Sequence, residues 1–341
     1  MNAARSPRRT AKLLSITPSS ARVHALDDID ELVRSGDVWV LNDAATFPAS
    51  LFGQTESGSA IEIRLLPRRP GKTKWSAITF GAGDWKTKTE FRPSPPELRV
   101  GEILRFDDLA GIVRSVSPHF PRKVEIEFRN SDELTWESIY RLGHPIQYAY
   151  QLAPLDLWSV QTPHASRPWA SEMPSAGRPL NWEILKRMTR AGAEIHSLTH
   201  ATGISSTGDP EFDAILPLPE FFELPQATVE AVIRAKRRGS RIVAVGTSVV
   251  RALEGSARLT GVPIPGLGET DLKIDPGYQR KIVDAIFTGI HSPGESHFEL
   301  LQSFLPREVF YAAEKIGTAE GLLSHEFGDA SFVEGSPSLS L

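Results

Sequence analysis

The sequence of 341 residues is 40% hydrophobic and 23% charged, which is typical of a globular chain, and its length is enough for about two domains. It contains no cysteine, which excludes disulfides, thiolate catalysis and cysteine-ligated metal or iron–sulfur sites and fits a reducing, cytoplasmic location. The net charge of −4 argues against extensive nucleic-acid contact, and no apolar run reaches the roughly 20 residues of a membrane span, so no membrane partner is expected.

The N-terminal region is predicted to begin with an arm and continue into a helix and a strand. The start, MNAARSPRRTAKLLS, is basic and lacks the apolar region of a signal peptide, so we expect a partly mobile arm. Residues 25–34 carry apolar side chains at helical spacing, and Gly36 ends that helix. Residues 37–41 are predicted as a buried strand and residues 42–53 as an irregular segment.

Residues 59–143 show a different pattern of apolar and charged residues. Short runs such as Ile61, Ile63 and Leu65 alternate with charged residues, and Pro, Gly and Ser clusters separate the runs. This pattern predicts a small all-β barrel. The predicted fold class is therefore α/β, with a main α/β domain of mixed sheet (residues 1–58 and 144–341) and an inserted small all-β barrel domain (residues 59–143).

The α/β pattern returns after residue 150. Asn181 is placed to cap a helix, residues 195–198 read as a strand, and a helix is predicted from Pro225 to Arg238. The last residues, 336–341, are expected to form a frayed tail.

The segment SRIVAVGTSVVRALE (residues 240–254) predicts a buried strand, a turn and a helix that opens at Val249. The turn consists of Gly246, Thr247 and Ser248. Such a turn presents backbone N–H groups and the positive end of the helix dipole to a ligand. The alternative is an ordinary strand-to-helix connection without a ligand.

Seven blocks of sequence, in the same order, resemble motifs of the tRNA ribosyltransferase-isomerases of queuosine biosynthesis. That family carries GTTSVRxLE where this chain has GTSVVRALE, and PTAGLH where it has PSAGRP. The other similar blocks are GDVWVLNDAATFPASLFG, LTHATG, PEFFELPQAT, DPGYQRKIVDAIFTGIHSPGES and FGDA.

The resemblance implies an unusual use of S-adenosylmethionine, as a co-substrate that donates its ribosyl group rather than its methyl group. A general base removes a C5′ proton made acidic by the sulfonium, adenine departs, an aminomethyl deazaguanine in tRNA attacks, and epoxide closure expels methionine. This chemistry implies no metal and no redox cofactor. His291 and His297 suggest a metal site by residue type alone, but no carboxylate–histidine set with ligand spacing surrounds them.

Three residues at positions similar to the family motifs are candidates for catalysis. His200 follows a predicted strand and has a side chain suited to proton transfer, or it is a hydrogen-bonded structural histidine. His291 follows another predicted strand and is expected in the pocket. Glu220 could act as a base or bind a ribose hydroxyl, or it could be a solvated charge at an edge.

The resemblance also implies which residues hold the donor. Arg251 could pair with the methionine carboxylate bidentately, or it could form a salt bridge with Glu254 or another surface acid. The complete predicted donor-binding set lies on three turns and the helix: Pro174, Ser175, Ala176, Gly177, Gly203, Gly246, Thr247, Ser248 and Arg251.

Departures from the family motifs concern the acceptor. An arginine of the family is Ala45 here, and a histidine is Pro179, so polar groups of the kind that hold a nucleobase or phosphate are lost. The acceptor is therefore tRNA, as in the family, or a small molecule in a divergent paralogue. A non-catalytic protein that binds RNA or the donor is a further alternative.

A basic cluster in residues 59–143 bears on the RNA hypothesis. Its cations are interleaved with Trp75, Trp85 and Phe91, an arrangement that can bind phosphates and stack bases. The alternative is the wet face of a β-hairpin with aromatic residues in its core. The cations are Arg68, Arg69, Lys72, Lys74, Lys86, Lys88 and Arg92.

Overall fold

The computed structural model describes residues 11–149, 153–324 and 327–335. The predicted tail at residues 336–341 and the first ten residues of the predicted arm lie outside the described residues. The arm prediction was wrong for Lys12–Ile16, which forms a strand whose Leu13 and Leu14 are buried. These apolar side chains contribute to the core, which a basic composition did not reveal.

Strands and helices alternate irregularly along the described chain. The strands are β1 (Lys12–Ile16), β2 (Ala21–Ala25), β3 (Val38–Asn42), β4 (Ala44–Thr46), β5 (Ser50–Gln54), β6 (Ala60–Leu65), β7 (Trp75–Phe80), β8 (Ile103–Phe106), β9 (Leu109–Val116), β10 (Lys123–Phe128), β11 (Arg167–Ala170), β12 (Glu194–His200), β13 (Glu220–Leu224), β14 (Ile242–Val245), β15 (Gly266–Thr270), β16 (Ala285–Gly289) and β17 (Ala330–Glu334). The α-helices are α1 (Asp132–Leu142), α2 (Trp182–Arg190), α3 (Pro210–Asp213), α4 (Gln226–Arg237), α5 (Thr247–Ala257), α6 (Ser296–Leu301) and α7 (Arg307–Ala319).

A nine-stranded mixed sheet forms the centre of the molecule, in the order β15-β13-β12-β3-β14-β16-β17-β1-β2. Strands β12, β3, β14 and β16 are parallel to one another, so their carboxyl ends meet at one edge of the sheet. Apolar residues of α4, α5, α6 and α7 cover one face, and those of α2 cover the other. Ligands bind outside the carboxyl ends of strands in such sheets, so this edge is where a site is expected.

Local signals in the sequence placed helices α2 and α4 correctly. The Asn181 side chain accepts a hydrogen bond from the Ile184 N–H and caps α2, as predicted. Helix α4 follows Pro225, and its last turn is followed by Gly239. Two predictions were wrong: α5 begins at Thr247 rather than Val249, and residues 42–53 contain β4 and β5 instead of irregular structure.

Strands β10, β7, β6, β5, β8 and β9 form a closed barrel in that order, which confirms the predicted α/β class with a small all-β barrel. The first barrel strand begins at Ser50 and therefore precedes residue 59. The division of the chain into residues 1–58 with 144–341 and residues 59–143 stays a prediction. Glu62 and Arg64 alternate along β6 with its apolar residues and would be expected to face water. Both are nevertheless buried, and they form an ion pair at 2.8 Å.

Candidate active site

A cleft of about 1090 Å³ lies at the carboxyl-end edge of the sheet. Its walls come from the turns after β12, β14 and β16, from the 3-10 turn Ser175–Gly177 and from residues that connect the sheet to the barrel. His200 and Gly177 are buried behind the wall. The other ten predicted site residues line the cleft: His291, Glu220, Pro174, Ser175, Ala176, Gly203, Gly246, Thr247, Ser248 and Arg251.

The turn after β14 requires glycine for its backbone and for space. Gly246 has φ +92°, a conformation that L side chains rarely adopt, and it precedes the first residue of α5. A Cβ at this position would lie 3.2 Å from the Ala176 Cβ on the opposing turn. The two turns therefore pack closely, and the start of α5 faces the cleft, where its dipole favours negative charge.

Glu220, the first residue of β13, is held by three groups. Its Oε2 pairs with Arg251 and lies 3.1 Å from His200 Nε2, and its Oε1 accepts the Gly203 N–H at 2.7 Å. Burial alone would raise the pKa of Glu220, but Arg251, His200 and the backbone N–H lower it to about 2. Glu220 is therefore an anion at neutral pH, and it is not the solvated edge charge considered from the sequence.

Arg251 pairs with Glu220 rather than with Glu254. Its Nε also donates to the Leu272 carbonyl at 2.9 Å, and its Nη2 has no hydrogen-bond partner within the described residues. Glu254 instead accepts the N–H groups of Ile282 and Val283 at 2.9 and 3.0 Å. The alternative salt bridge to Glu254 is thus replaced by an internal pair with Glu220 at the cleft wall.

His200 is fully buried and does not border the cleft. Its Nδ1 donates to the Ser248 carbonyl at 2.6 Å, and its Nε2 faces Glu220. The Asn42 amide donates to the His200 carbonyl at 3.1 Å and to Ser248 Oγ at 3.2 Å, and its oxygen accepts the His200 N–H at 2.9 Å. These contacts join β3, β12 and α5, so His200 holds Glu220 and the α5 turn in place.

His291 follows β16 and lines the cleft, with some of its ring exposed. Its Nε2 is 2.9 Å from the Thr288 hydroxyl, and its Nδ1 is 3.6 Å from Glu295. The ring stacks on that of His297, with the two centroids 4.9 Å apart. Burial and, to a smaller extent, the neighbouring His291 lower the pKa of His297 to about 4, so His297 is neutral at neutral pH.

Two residues that sequence reasoning did not select, Tyr148 and Glu172, face the cleft from the barrel side. The Tyr148 hydroxyl donates to Glu172 Oε1 at 2.5 Å, and the Ser205 N–H donates to the same oxygen at 3.1 Å. Burial raises the pKa of Glu172 more than these hydrogen bonds lower it. No periodicity or motif marks Glu172 in the sequence, because residue 148 approaches it only in the folded chain.

The basic cluster divides into buried and exposed parts. Trp75 is 1% exposed in the barrel core, Arg68 lies over its ring, and Arg92 pairs with the buried Glu62. These residues therefore fit the alternative of a β-hairpin with aromatic residues in its core. In contrast, Lys88 and Phe91 are exposed on the segment that reaches the cleft rim, with the ammonium group 5.9 Å from the ring centroid.

The described residues contain neither a metal-binding group nor a membrane-spanning helix. No group of three or more His, Asp or Glu side chains there could hold a metal ion. No helix among the described residues has the length and apolar character required to cross a membrane.

Comparisons with known proteins agree with one another. The chain matches the family model described as Queuosine biosynthesis protein over residues 2–333. It is 33% identical over 339 residues to a Thermus thermophilus protein named S-adenosylmethionine:tRNA ribosyltransferase-isomerase, and the match covers 96% of this chain and 93% of the relative. A protein of the same name from Gloeobacter violaceus is 30% identical, with coverages of 96% and 90%. The crystal structure of S-adenosylmethionine tRNA ribosyltransferase from Thermotoga maritima, 23% identical, aligns with a TM-score of 0.52 over 98% of this chain and 95% of that one, which shows a shared fold.

Proposed function

This chain belongs to the Queuosine biosynthesis protein family, and from that membership we propose that it transfers and isomerises the ribosyl group of S-adenosylmethionine onto a modified deazaguanine of tRNA. Its relatives from Thermus thermophilus and Gloeobacter violaceus are named for this activity. These relatives give no support to a small-molecule acceptor or to a non-catalytic paralogue. Because the acceptor would be tRNA, we place the reaction in the cytoplasm.

The observation that supports this proposal most is the convergence of three turns that are distant in sequence. The turns at Ser175–Gly177, at residues 200–203 and at residues 246–248 carry three of the resembling motifs, and they meet at one cleft. A donor with a nucleoside and an amino acid part needs such a long, mixed surface.

We assign the donor's methionine carboxylate to the start of α5. The N–H groups of Thr247 and Ser248 and the positive end of the helix dipole favour an anion there. Arg251 lies one turn further along and has an Nη2 without a partner among the described residues, which supports its proposed contact with the same carboxylate. Glu220 keeps Arg251 in position.

Removal of the C5′ proton needs a group that reaches the cleft and can accept a proton at neutral pH. Glu220 does not accept a proton at neutral pH and His200 does not reach the cleft, so we assign both to positioning. His291 does reach the cleft. The reaction requires no metal and no redox cofactor in this proposal, because the sulfonium supplies the electron-withdrawing group.

The acceptor RNA is proposed to approach over the barrel side of the cleft. Lys86, Lys88 and Phe91 are exposed there and offer two cations and an aromatic face. If they contact RNA, binding should weaken as salt rises, with a log–log slope of about 0.7 for each neutralised phosphate of a single strand. Lys88→Ala should reduce that slope by a similar amount, and a salt-independent affinity would remove this surface from the proposal.

The activity test combines the protein, S-adenosylmethionine and tRNA that carries the aminomethyl deazaguanine. Release of adenine and methionine that depends on this tRNA is the expected result. Unmodified tRNA is the matched control and should give no adenine. Adenine release without RNA would indicate a different acceptor, and binding of the donor without any release would indicate a non-catalytic protein.

A further inference from the structure

The cleft contains a second carboxylate whose surroundings differ from those of Glu220. Residues 202–205 run between the two side chains, since Gly203 donates its N–H to Glu220 and Ser205 donates its N–H to Glu172. Glu172 is further fixed through its backbone, because its carbonyl accepts the Thr202 hydroxyl at 2.6 Å. Both carboxylates line the same cleft.

We propose that Glu172 is the group that accepts the C5′ proton of the donor, and that Tyr148 is its positioning residue. This inference rests on the proposed function and names a residue for its proton-transfer step. Glu172 reaches the cleft and is rigidly held by two hydrogen bonds to Oε1. Among the described residues no arginine forms a salt bridge with it: the guanidinium of Arg64 pairs with Glu62, and its charge lowers the pKa of Glu172 by less than burial raises it.

The two carboxylates suit different tasks because their surroundings shift their proton affinities apart. Glu220 binds an arginine and stays ionised, whereas burial raises the pKa of Glu172. A pair of acids separated in this way is a common arrangement in acid–base catalysis, where the group with the raised pKa exchanges the proton. Glu172 is thus a stronger base than an exposed carboxylate.

The proposed step is balanced without any further reactant. The C5′–H bond breaks, its electron pair remains on the carbon beside the sulfonium, and the proton forms an O–H bond with Glu172. The electron pair at C5′ then forms a C4′–C5′ double bond, the electrons of the C4′–O4′ bond form a carbonyl at C1′, and the C1′–N bond to adenine breaks with its pair on the nitrogen. The proton passes from Glu172 to that nitrogen, which releases adenine and restores the carboxylate. The Tyr148 hydroxyl keeps its hydrogen bond to Oε1 and orients the carboxylate toward the cleft.

The test measures adenine release by the full chain with S-adenosylmethionine and the modified tRNA, together with calorimetric binding of the donor. Glu172→Gln should lower kcat by roughly 10²- to 10⁴-fold, the usual contribution of a general base, while donor affinity changes little. Glu172→Asp, which keeps the carboxylate, should retain part of the rate. Glu56→Gln is the matched control and should leave kcat unchanged, because Glu56 is an exposed carboxylate that does not line the cleft.

The positioning role of Tyr148 is tested by the pH dependence of kcat/KM in Tyr148→Phe, which would not shift if Tyr148 were only structural. The Tyr148 hydrogen bond lowers the pKa of Glu172, so its loss should raise that pKa and shift the ascending limb of kcat/KM to higher pH. A limb that stays in place would overturn the positioning role.

Other outcomes separate failure of the assignment from failure of the proposed function. If Glu172→Gln releases adenine as fast as the unsubstituted chain, the assignment is wrong and the proposed function stands. If instead His291→Gln alone abolishes the ascending limb, His291 is the base and the assignment is overturned. If the unsubstituted chain binds the donor and releases no adenine, the proposed function fails, and this inference fails with it.

Discussion

On one side of the cleft Glu220 is held by Arg251, His200 and a backbone N–H, whereas on the other side Glu172 receives hydrogen bonds from the neutral donors Tyr148 and Ser205. Both carboxylates are substantially shielded from water, yet the pKa of the first is lowered to about 2 and that of the second is raised. Burial by itself therefore does not decide the protonation state of an acid. The charge of the partner decides it, and this gives the cleft one fixed anion and one proton-exchanging group.

The largest effect is expected on the side of the fixed anion. Arg251→Met removes the cation beside Glu220 and should lower the free energy of unfolding by about 3–5 kcal/mol, because it leaves a buried carboxylate without its arginine. Urea denaturation measures this change. Arg258→Met is the matched control: its pair with Asp271 at 3.2 Å is exposed and should contribute about 0–1 kcal/mol. Equal losses in the two variants would contradict the fixed-anion description.

The pH dependence of stability should distinguish the two carboxylates by sign. At a pH above the ordinary glutamate pKa of 4.5, the lowered pKa of Glu220 stabilises the folded state by about 3 kcal/mol. This contribution is lost as the pH falls toward about 2. The raised pKa of Glu172 has the opposite effect. Stability declines as the pH rises from the ordinary glutamate pKa toward the higher pKa that Glu172 has in the folded state.

Each glutamine variant should therefore remove its own slope from a plot of unfolding free energy against pH. Glu220→Gln flattens the acid region, and Glu172→Gln flattens the region above the ordinary glutamate pKa. Gln226→Ala, which changes no titratable group, is measured in parallel as the control. Slopes of the same sign for both carboxylates would refute the contrast between the two sides.

A smaller effect is expected from the amide that joins the fixed side to the sheet. Asn42→Ala removes hydrogen bonds to the backbone of His200 and to Ser248 and should cost about 1–3 kcal/mol, since it leaves buried polar groups unsatisfied. Gln226→Ala removes an exposed amide that contacts Glu230 and should stay within about 0.5 kcal/mol. Thermal unfolding of both variants tests whether the fixed side depends on this network.

The smallest effect, on donor binding, concerns the turn that borders both sides. Gly246→Ala and Gly261→Ala both place a Cβ at positive φ. The cost in stability should be about 1–2 kcal/mol at Gly261 and about 1–3 kcal/mol at Gly246, whose ψ of 156° belongs to a region that is essentially confined to glycine. At Gly246 the Cβ also approaches Ala176 in the cleft, whereas at Gly261 nothing lies within 4 Å. We expect Gly246→Ala to weaken donor binding by roughly fivefold, about 1 kcal/mol, and Gly261→Ala to leave calorimetric affinity unchanged. Weakened binding in both variants would place the cause outside the turn.

The sequence predicted correctly those parts of the fold that depend on neighbouring residues. Asn181 capped its helix because a cap needs only the next few residues, and the alternation around Ile61 predicted barrel strands. The same reasoning failed at Lys12–Ile16 and in residues 42–53, where β1 and β4 exist because β17 and β11, distant in the sequence, pair with them. It also left three roles open for Glu220, as a base, as a ligand of a ribose hydroxyl or as a solvated edge charge, since the arginine that holds it lies 31 residues away.

By itself the sequence determined that an α/β sheet with a barrel would form and which turns belong to one ordered set of motifs. Only the tertiary structure decided how the acids of that set behave, because a pKa depends on which charges and how much water surround a group after folding. Arg251 approaches Glu220, Tyr148 approaches Glu172, and His200 is enclosed behind the wall through contacts between elements that are far apart in the chain. The division of tasks within the cleft therefore follows from packing and could not be deduced from residue types alone.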